Sequence, residues 1–154
     1  MLRRDYEGQE CAIAATLEVV GERWTLLILR DILRGNRRFD QLHDSLGLAR
    51  NVLTNRLTRL IDEGIVERRP YQERPERFEY FLTEKGLDLW PVLVAMLGWG
   101  DKHVFGSEGG PVVMVHKECG GRINDRRICE DCGEWLEVRD ARAVRARASA
   151  AAQA

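Results

Sequence analysis

Three of the chain's four cysteines, Cys119, Cys129 and Cys132, fall close together, with His116 just upstream. His116-x2-Cys119-Gly120 and Cys129-x2-Cys132-Gly133 form two matched knuckles. A two-residue gap lets both side chains of a tight turn reach one tetrahedral ion. The glycine after each pair lets the backbone curl so that its amides face the sulfurs. Four nitrogen and sulfur donors with no open position predict a structural Zn²⁺ site at His116, Cys119, Cys129 and Cys132. A segment of about thirty residues is too small to hold a core alone, and a metal would supply the missing stability. The competing reading is a metal-free β-ribbon with Cys129 and Cys132 as a redox dithiol or idle thiols.

A second group of side chains suits nucleic acid. Opposite Leu53, Leu57 and Leu60, one helical face carries Asn51, Asn55, Thr58 and Arg59, flanked by Arg50 and Thr54. Asparagine can bond an adenine edge bidentately, arginine a guanine edge or a phosphate, and a threonine methyl can touch thymine. The face is free of acids until Asp62. Arg37 and Arg38 stand upstream, where they could pin phosphates. Arg74 and Arg77 sit in a later polar loop, partly offset by Glu73 and Glu76. The plainer reading is a helical hairpin whose polar face simply meets water.

The fourth cysteine, Cys11, opens a helix. The helix dipole there favours a thiolate and raises reactivity. Cysteine is equally common as a small buried apolar residue.

Apolar spacing supplies the elements that hold these groups. Cys11 to Val20 shows Ile13, Leu17 and Val20 on one helical face. A second helix from Glu22 to Leu33 turns Trp24, Leu27, Ile28, Ile32 and Leu33 inward and stops at Gly35-Asn36. Phe39 to Leu46 and Ala49 to Glu63, parted by Gly47, make a helix-turn-helix pair. The period then changes to two over residues 65–69 and 78–82, with the polar QERPER of residues 72–77 as the loop. A long helix follows Thr83 toward Trp99, bent or reset by Pro91. The fold class is mainly α (α+β), a winged helix-turn-helix with a small C-terminal β-ribbon. The expected division is 1–105 for the main domain, the glycine-rich 106–111 as linker, 112–138 as the zinc-ribbon-like unit, and 139–154 as a flexible Ala/Arg-rich tail.

Charge is distributed unevenly. Residues 30–59 hold seven arginines against three aspartates, while residues 107–138 hold four basic side chains against seven acidic ones. A net charge of −1 conceals this split. The longest uncharged stretch, residues 89–100, is far short of the ~20 residues that span a bilayer, so no membrane role is expected. MLRRDYEGQE has no apolar run after its arginines and does not read as a secretory signal, which points to the cytoplasm. Catalysis is not expected either. With only His43, His103 and His116, no Cys-His or Ser-His-Asp arrangement stands out, and no HExxH run or phosphate-cradling glycine loop is present.

The run from Cys11 to Gly86 resembles the HxlR family of bacterial winged-helix transcription regulators. The matching points are Cys11, Gly21 with Arg23-Trp24-Thr25, Arg38-Phe39, Leu53 and Leu57 through Leu60, Gly64-Ile65, and Tyr80-x-Leu82-Thr83-Glu84-Lys85-Gly86. The resemblance spans about residues 10 to 105. It implies a homodimer that binds an inverted-repeat operator in double-stranded DNA, with the terminal helices in the dimer contact. Leu87, Trp90, Val94 and Leu97 are the residues expected there. The resemblance also places Cys11 where several members carry a thiol that senses oxidants or electrophiles. It is silent on any effector. The alternative is a zinc-ribbon adaptor that docks on proteins and does not read DNA.

Overall fold

The computed structural model describes residue 6 and residues 8–146. Most of the arginine-bearing N-terminal stretch and the last eight residues of the tail lie outside the described residues. The described residues form two compact units divided between Asp88 and Leu89.

In the first unit, α1 (Ala12–Val20) starts on Cys11, whose sulfur accepts the Ala14 N–H at 3.3 Å. α2 (Thr25–Leu33) begins later than the expected Glu22, because the Thr25 N–H first closes a turn onto the Glu22 carbonyl. α3 (Phe39–Leu46) ends on Gly47 at φ 63, a left-handed cap that glycine adopts without strain. That turn leads directly into α4 (Arg50–Asp62). Ile28, Leu29, Ile32, Leu42, Leu53, Leu57 and Leu60 are all buried. Asp31, also buried, accepts from Arg30 Nε at 2.8 Å and from the Ser45 hydroxyl, which ties α2 to α3.

α1 differs from its expected orientation. Ala14 and Val20 face inward, while Ile13 and Leu17 remain exposed at 74% and 41%. The spacing of Ile13, Leu17 and Val20 is helical, but only its last member enters the core.

β1 (Val66–Glu73) and β2 (Glu76–Leu82) form an antiparallel hairpin in which Glu73 pairs with Glu76. The expected six-residue loop is therefore shorter, with only Arg74 and Pro75 between the strands. Strand pairing uses backbone groups, so polar side chains at an exposed tip do not prevent it. The outer edge of β2 takes a further short segment. The Tyr80 N–H donates to the Arg37 carbonyl at 2.7 Å, and Arg38 bridges to Glu79. Thr83 then caps α5 (Glu84–Leu87) by accepting the Gly86 N–H at 3.2 Å.

The second unit opens with α6 (Trp90–Gly100). The single long helix expected after Thr83 is split. Pro91 lies in the first turn of α6, where its missing N–H costs nothing. α6 belongs to the same unit as the ribbon. At Gly98 a Cβ would fall 2.6 Å from the Asp125 Cβ, so a bare Cα is what lets helix and ribbon approach. A π-helical turn (Asp101–Phe105) and a 3-10 turn (Gly106–Glu108) lead on to β3 (Val112–His116).

Two expectations are corrected in this unit. The Ala/Arg-rich segment after residue 138 is not a loose tail as far as residue 145. Ala141–Arg145 forms β4, paired antiparallel with β3 from Val112↔Arg145 to His116↔Ala141. A lone five-residue strand leaves its backbone groups unpaired. Small alanines suit the partner strand, with Ala141 buried and Arg142 outward. The second correction concerns Trp90 and Val94. Both are buried within the single chain, at 3% exposure each, so neither offers surface to a partner copy. Leu87 and Leu97 are half-buried, and the exposed large apolar residues of α6 are Val92, Met96 and Trp99.

Candidate nucleic-acid interface and metal centre

The side chains expected to meet nucleic acid are Arg37, Arg38, Arg50, Asn51, Thr54, Asn55, Thr58, Arg59, Arg74 and Arg77. Every one of them is exposed. On α4 the division is clean: Leu53, Leu57 and Leu60 go inward, while Asn51, Asn55 and Thr58 go outward on the opposite side. A helix thus packed on its apolar stripe presents its polar stripe as one rigid row.

The arginines are less free than the linear sequence suggests. Arg50 holds Asp40 of α3 at 2.7 Å and lies over the Phe39 ring at 5.2 Å. Arg38 pairs with Glu79 at 3.0 Å and lies over Tyr71 at 4.2 Å. The Arg59 guanidinium donates to the Glu18 carbonyl of α1, and Arg56 pairs with Glu22. The far end of α4 is therefore fastened to α1. Arg74 and Arg77 stand at the hairpin tip. Two exposed arginines escaped the sequence reading, Arg68 and Arg69 of β1, which lie over Phe78 and Phe81 at 4.5 and 4.4 Å. Strand alternation could not have found both, since adjacent residues point to opposite faces and both are exposed because the hairpin is open on each side there.

In the second unit the two knuckles converge. The Cys119 Sγ lies 3.4 Å from the Cys129 Sγ and 3.3 Å from His116 Nδ1, and the Cys132 Sγ lies 3.4 Å from the same nitrogen. All four donor atoms fall within 4.8 Å of one another. Tetrahedral zinc, with Zn–S about 2.3 Å and Zn–N about 2.0 Å, sets its donors about 3.5 to 3.8 Å apart. The donor set and its spacing therefore fit such an ion.

The two knuckles share one backbone device. The Gly120 N–H donates to the His116 carbonyl, and the Gly133 N–H to the Cys129 carbonyl, each at 2.9 Å. Gly120 and Gly133 have φ of 78 and 76, the left-handed region that favours glycine. At Gly121 a Cβ would lie 2.5 Å from the Cys129 Sγ, and its amide donates to the Cys119 Sγ at 3.4 Å.

The outer nitrogen of His116, Nε2, faces the Glu134 carboxylate at 3.7 Å, the usual companion of a ligating imidazole. Backbone N–H groups at Cys132 and Asp131 hold the Cys129 thiol down at about 7. The Cys132 thiol, despite a favourable Glu134 N–H, is pushed up by burial and by its sulfur neighbours to about 11. Cys11 of the first unit is exposed and free. The alternative reading of Cys11 as a small buried residue is thereby set aside.

The family model for HxlR-like helix-turn-helix proteins matches residues 19–107. The chain belongs to the HxlR family. Its members are transcriptional regulators, which are not an enzyme class. The matched residues take in α2 to α6, so the helix-turn-helix pair, the hairpin wing and the helices after it are family features.

An HTH-type transcriptional regulator of Mycobacterium tuberculosis (strain ATCC 25618 / H37Rv) is 44% identical over 139 residues, covering 90% of this chain and 87% of that protein. The crystal structure of PA1607 superposes with a TM-score of 0.70 at 35% identity, covering 88% of this chain and 94% of that one. Both likenesses extend past residue 107, so they include ribbon residues that the family model leaves out. The redox regulator HypR, solved in its oxidized form, matches with a TM-score of 0.56 at 32% identity, over 60% of this chain and 97% of that one. No described helix is long and apolar enough to cross a membrane.

Proposed function

We propose that this HxlR-family regulator acts as a homodimer that reads an inverted-repeat operator, with α4 in the major groove. Residues 1–105 supply DNA binding and dimer contact. The observation that carries the reading is the exposed outer face of α4, free of acids until Asp62, whose asparagines and threonines are base-reading types. Arg50, Asn51, Thr54, Asn55 and Thr58 face the bases, and Arg37, Arg74 and Arg77 face phosphates. Arg38, oriented and partly neutralised by Glu79, makes a weaker phosphate contact, and Arg59 stays with α1. A regulator of this kind works where the DNA is, in the cytoplasm. A second copy covers the exposed stripe Val92, Met96 and Trp99 of α6, in place of the buried Trp90 and Val94.

We further propose that His116, Cys119, Cys129 and Cys132 hold one structural Zn²⁺. The ion would supply the ribbon with a fixed centre. His116 presents Nδ1, and Glu134 steadies the ring from its other side. Cys11 is the thiol proposed to respond to oxidants or electrophiles. Its exposure at a helix N-terminus supports this, as does the likeness to HypR.

A salt titration of duplex binding tests the DNA reading. Affinity should fall steeply with salt as displaced counterions are released from the phosphates. A chain that binds no duplex at low salt is a protein-docking adaptor instead. Peroxide should change the wild-type affinity and leave Cys11→Ser unchanged. An equal response in both would remove Cys11 from regulation.

A further inference from the structure

Two guanidinium groups lie against the Phe81 ring of β2. Arg37 stands 4.7 Å from its centroid and Arg69 stands 4.4 Å from it. Two like charges gathered on one half-buried ring repel each other, and nearby acids relieve this only in part. Glu67 pairs with Arg69 and Glu79 pairs with Arg38, whereas Arg37 has no carboxylate partner among the described residues. The uncompensated cation is therefore Arg37. The arrangement continues toward α4. Arg37 is followed by Arg38, which lies over Tyr71, and then by Phe39, which carries Arg50 at the start of α4. Four arginines, each set on an aromatic ring, thus run from the wing to the first residue of the reading helix.

We infer that Arg37 and Arg69, both set on Phe81, form a clamp for a backbone phosphate of the duplex, placed beside the N-terminal end of α4. This rests on the DNA reading proposed above. A guanidinium stacked on a ring has its plane fixed before binding and keeps its N–H edge outward, so less ordering is lost when it meets a phosphate oxygen. Phe81 is a positioning residue that touches no DNA. An anion bound by both arginines also relieves their mutual repulsion, an advantage that one exposed arginine would lack.

The test measures binding of a random-sequence duplex by fluorescence anisotropy across a salt series, where base reading contributes nothing. Arg37→Ala and Arg69→Ala should each reduce the slope of log affinity against log salt by about 0.9 and weaken binding about five- to tenfold near 0.1 M salt. Phe81→Leu keeps both charges, so it should weaken binding severalfold with the slope nearly unchanged, and Phe81→Tyr should restore it. Thermal melts of each variant should match the wild type. A wild-type slope in Arg69→Ala overturns the clamp while leaving DNA binding intact. Equal affinity in Phe81→Leu and wild type overturns the positioning role. A wild type that fails to bind the duplex at low salt overturns the DNA reading itself.

Discussion

The two units solve the same problem, holding a surface in place, by different means. In the first, Ile28, Leu29, Ile32, Leu42, Leu53, Leu57 and Leu60 close around one another, and the polar face of α4 is rigid because its apolar face is packed. The ribbon's buried residues are fewer: Val115, Ile123, Leu136 and Ala141, set beside His116 and Cys129. Its centre is four donor atoms where a hydrophobic core would be. A helical surface packed on its own core needs no ligand, whereas the proposed zinc would give a ribbon of this size the fixed centre that its few buried residues do not. α6 sharpens the contrast. It falls within the family's matched residues, yet it shares its compact unit with the ribbon.

The largest expected effect comes from breaking the ribbon. Cys129→Ser together with Cys132→Ser should reduce bound zinc from one per chain to none, measured by elemental analysis. A structural zinc contributes about 10–16 kcal/mol in small zinc domains at neutral pH. Hydrogen exchange should therefore quicken across β3, the knuckles, β4 and α6, and stay slow in α2 to α4. Unchanged protection in the ribbon would show that it stands without metal.

The same site sets a pH dependence. Metal binding requires thiolates, so protons compete with it. Cys132, pushed up to about 11, must lose a proton on binding throughout the neutral range. Cys129, held down at about 7, adds a further proton only below that value. Zinc affinity should accordingly decline as pH falls, and decline more steeply below about 7, as followed by competition with a chromogenic chelator.

The reverse substitution probes the other unit. Leu57→Ala removes a buried side chain from α4 and should cost about 2–5 kcal/mol in denaturant unfolding of the first unit. Zinc content should remain one per chain. Loss of metal in that variant would mean that the two units do not stand independently.

Much of this contrast is legible in the sequence, because the features concerned are local. Helical spacing identified α2, α3 and α4, and Gly47 marked their turn. The knuckle spacing named all four donors before any distance was known. What escaped depends on distant partners. Ile13 and Leu17 carry helical spacing yet lie exposed, since spacing reveals a stripe and not what covers it. Trp90 and Val94 were read as surface for a second copy and proved to be interior. β4 was missed because Ala141–Arg145 carries no strand-like apolar run and pairs through its backbone with β3. The stacking of Arg37 and Arg69 on Phe81 joins residues far apart in the chain, which no local pattern records.

The central claim is that the exposed face of α4 reads base sequence. It is tested most directly by selecting bound duplexes from a random pool with wild type and with Asn55→Ala. The wild type should enrich an inverted repeat. Asn55→Ala should lose about 1–3 kcal/mol on that sequence and relax the preference at one position in each half-site, with equal affinity for random duplex. An identical enriched sequence at unchanged affinity, or no enriched sequence from the wild type, would contradict it.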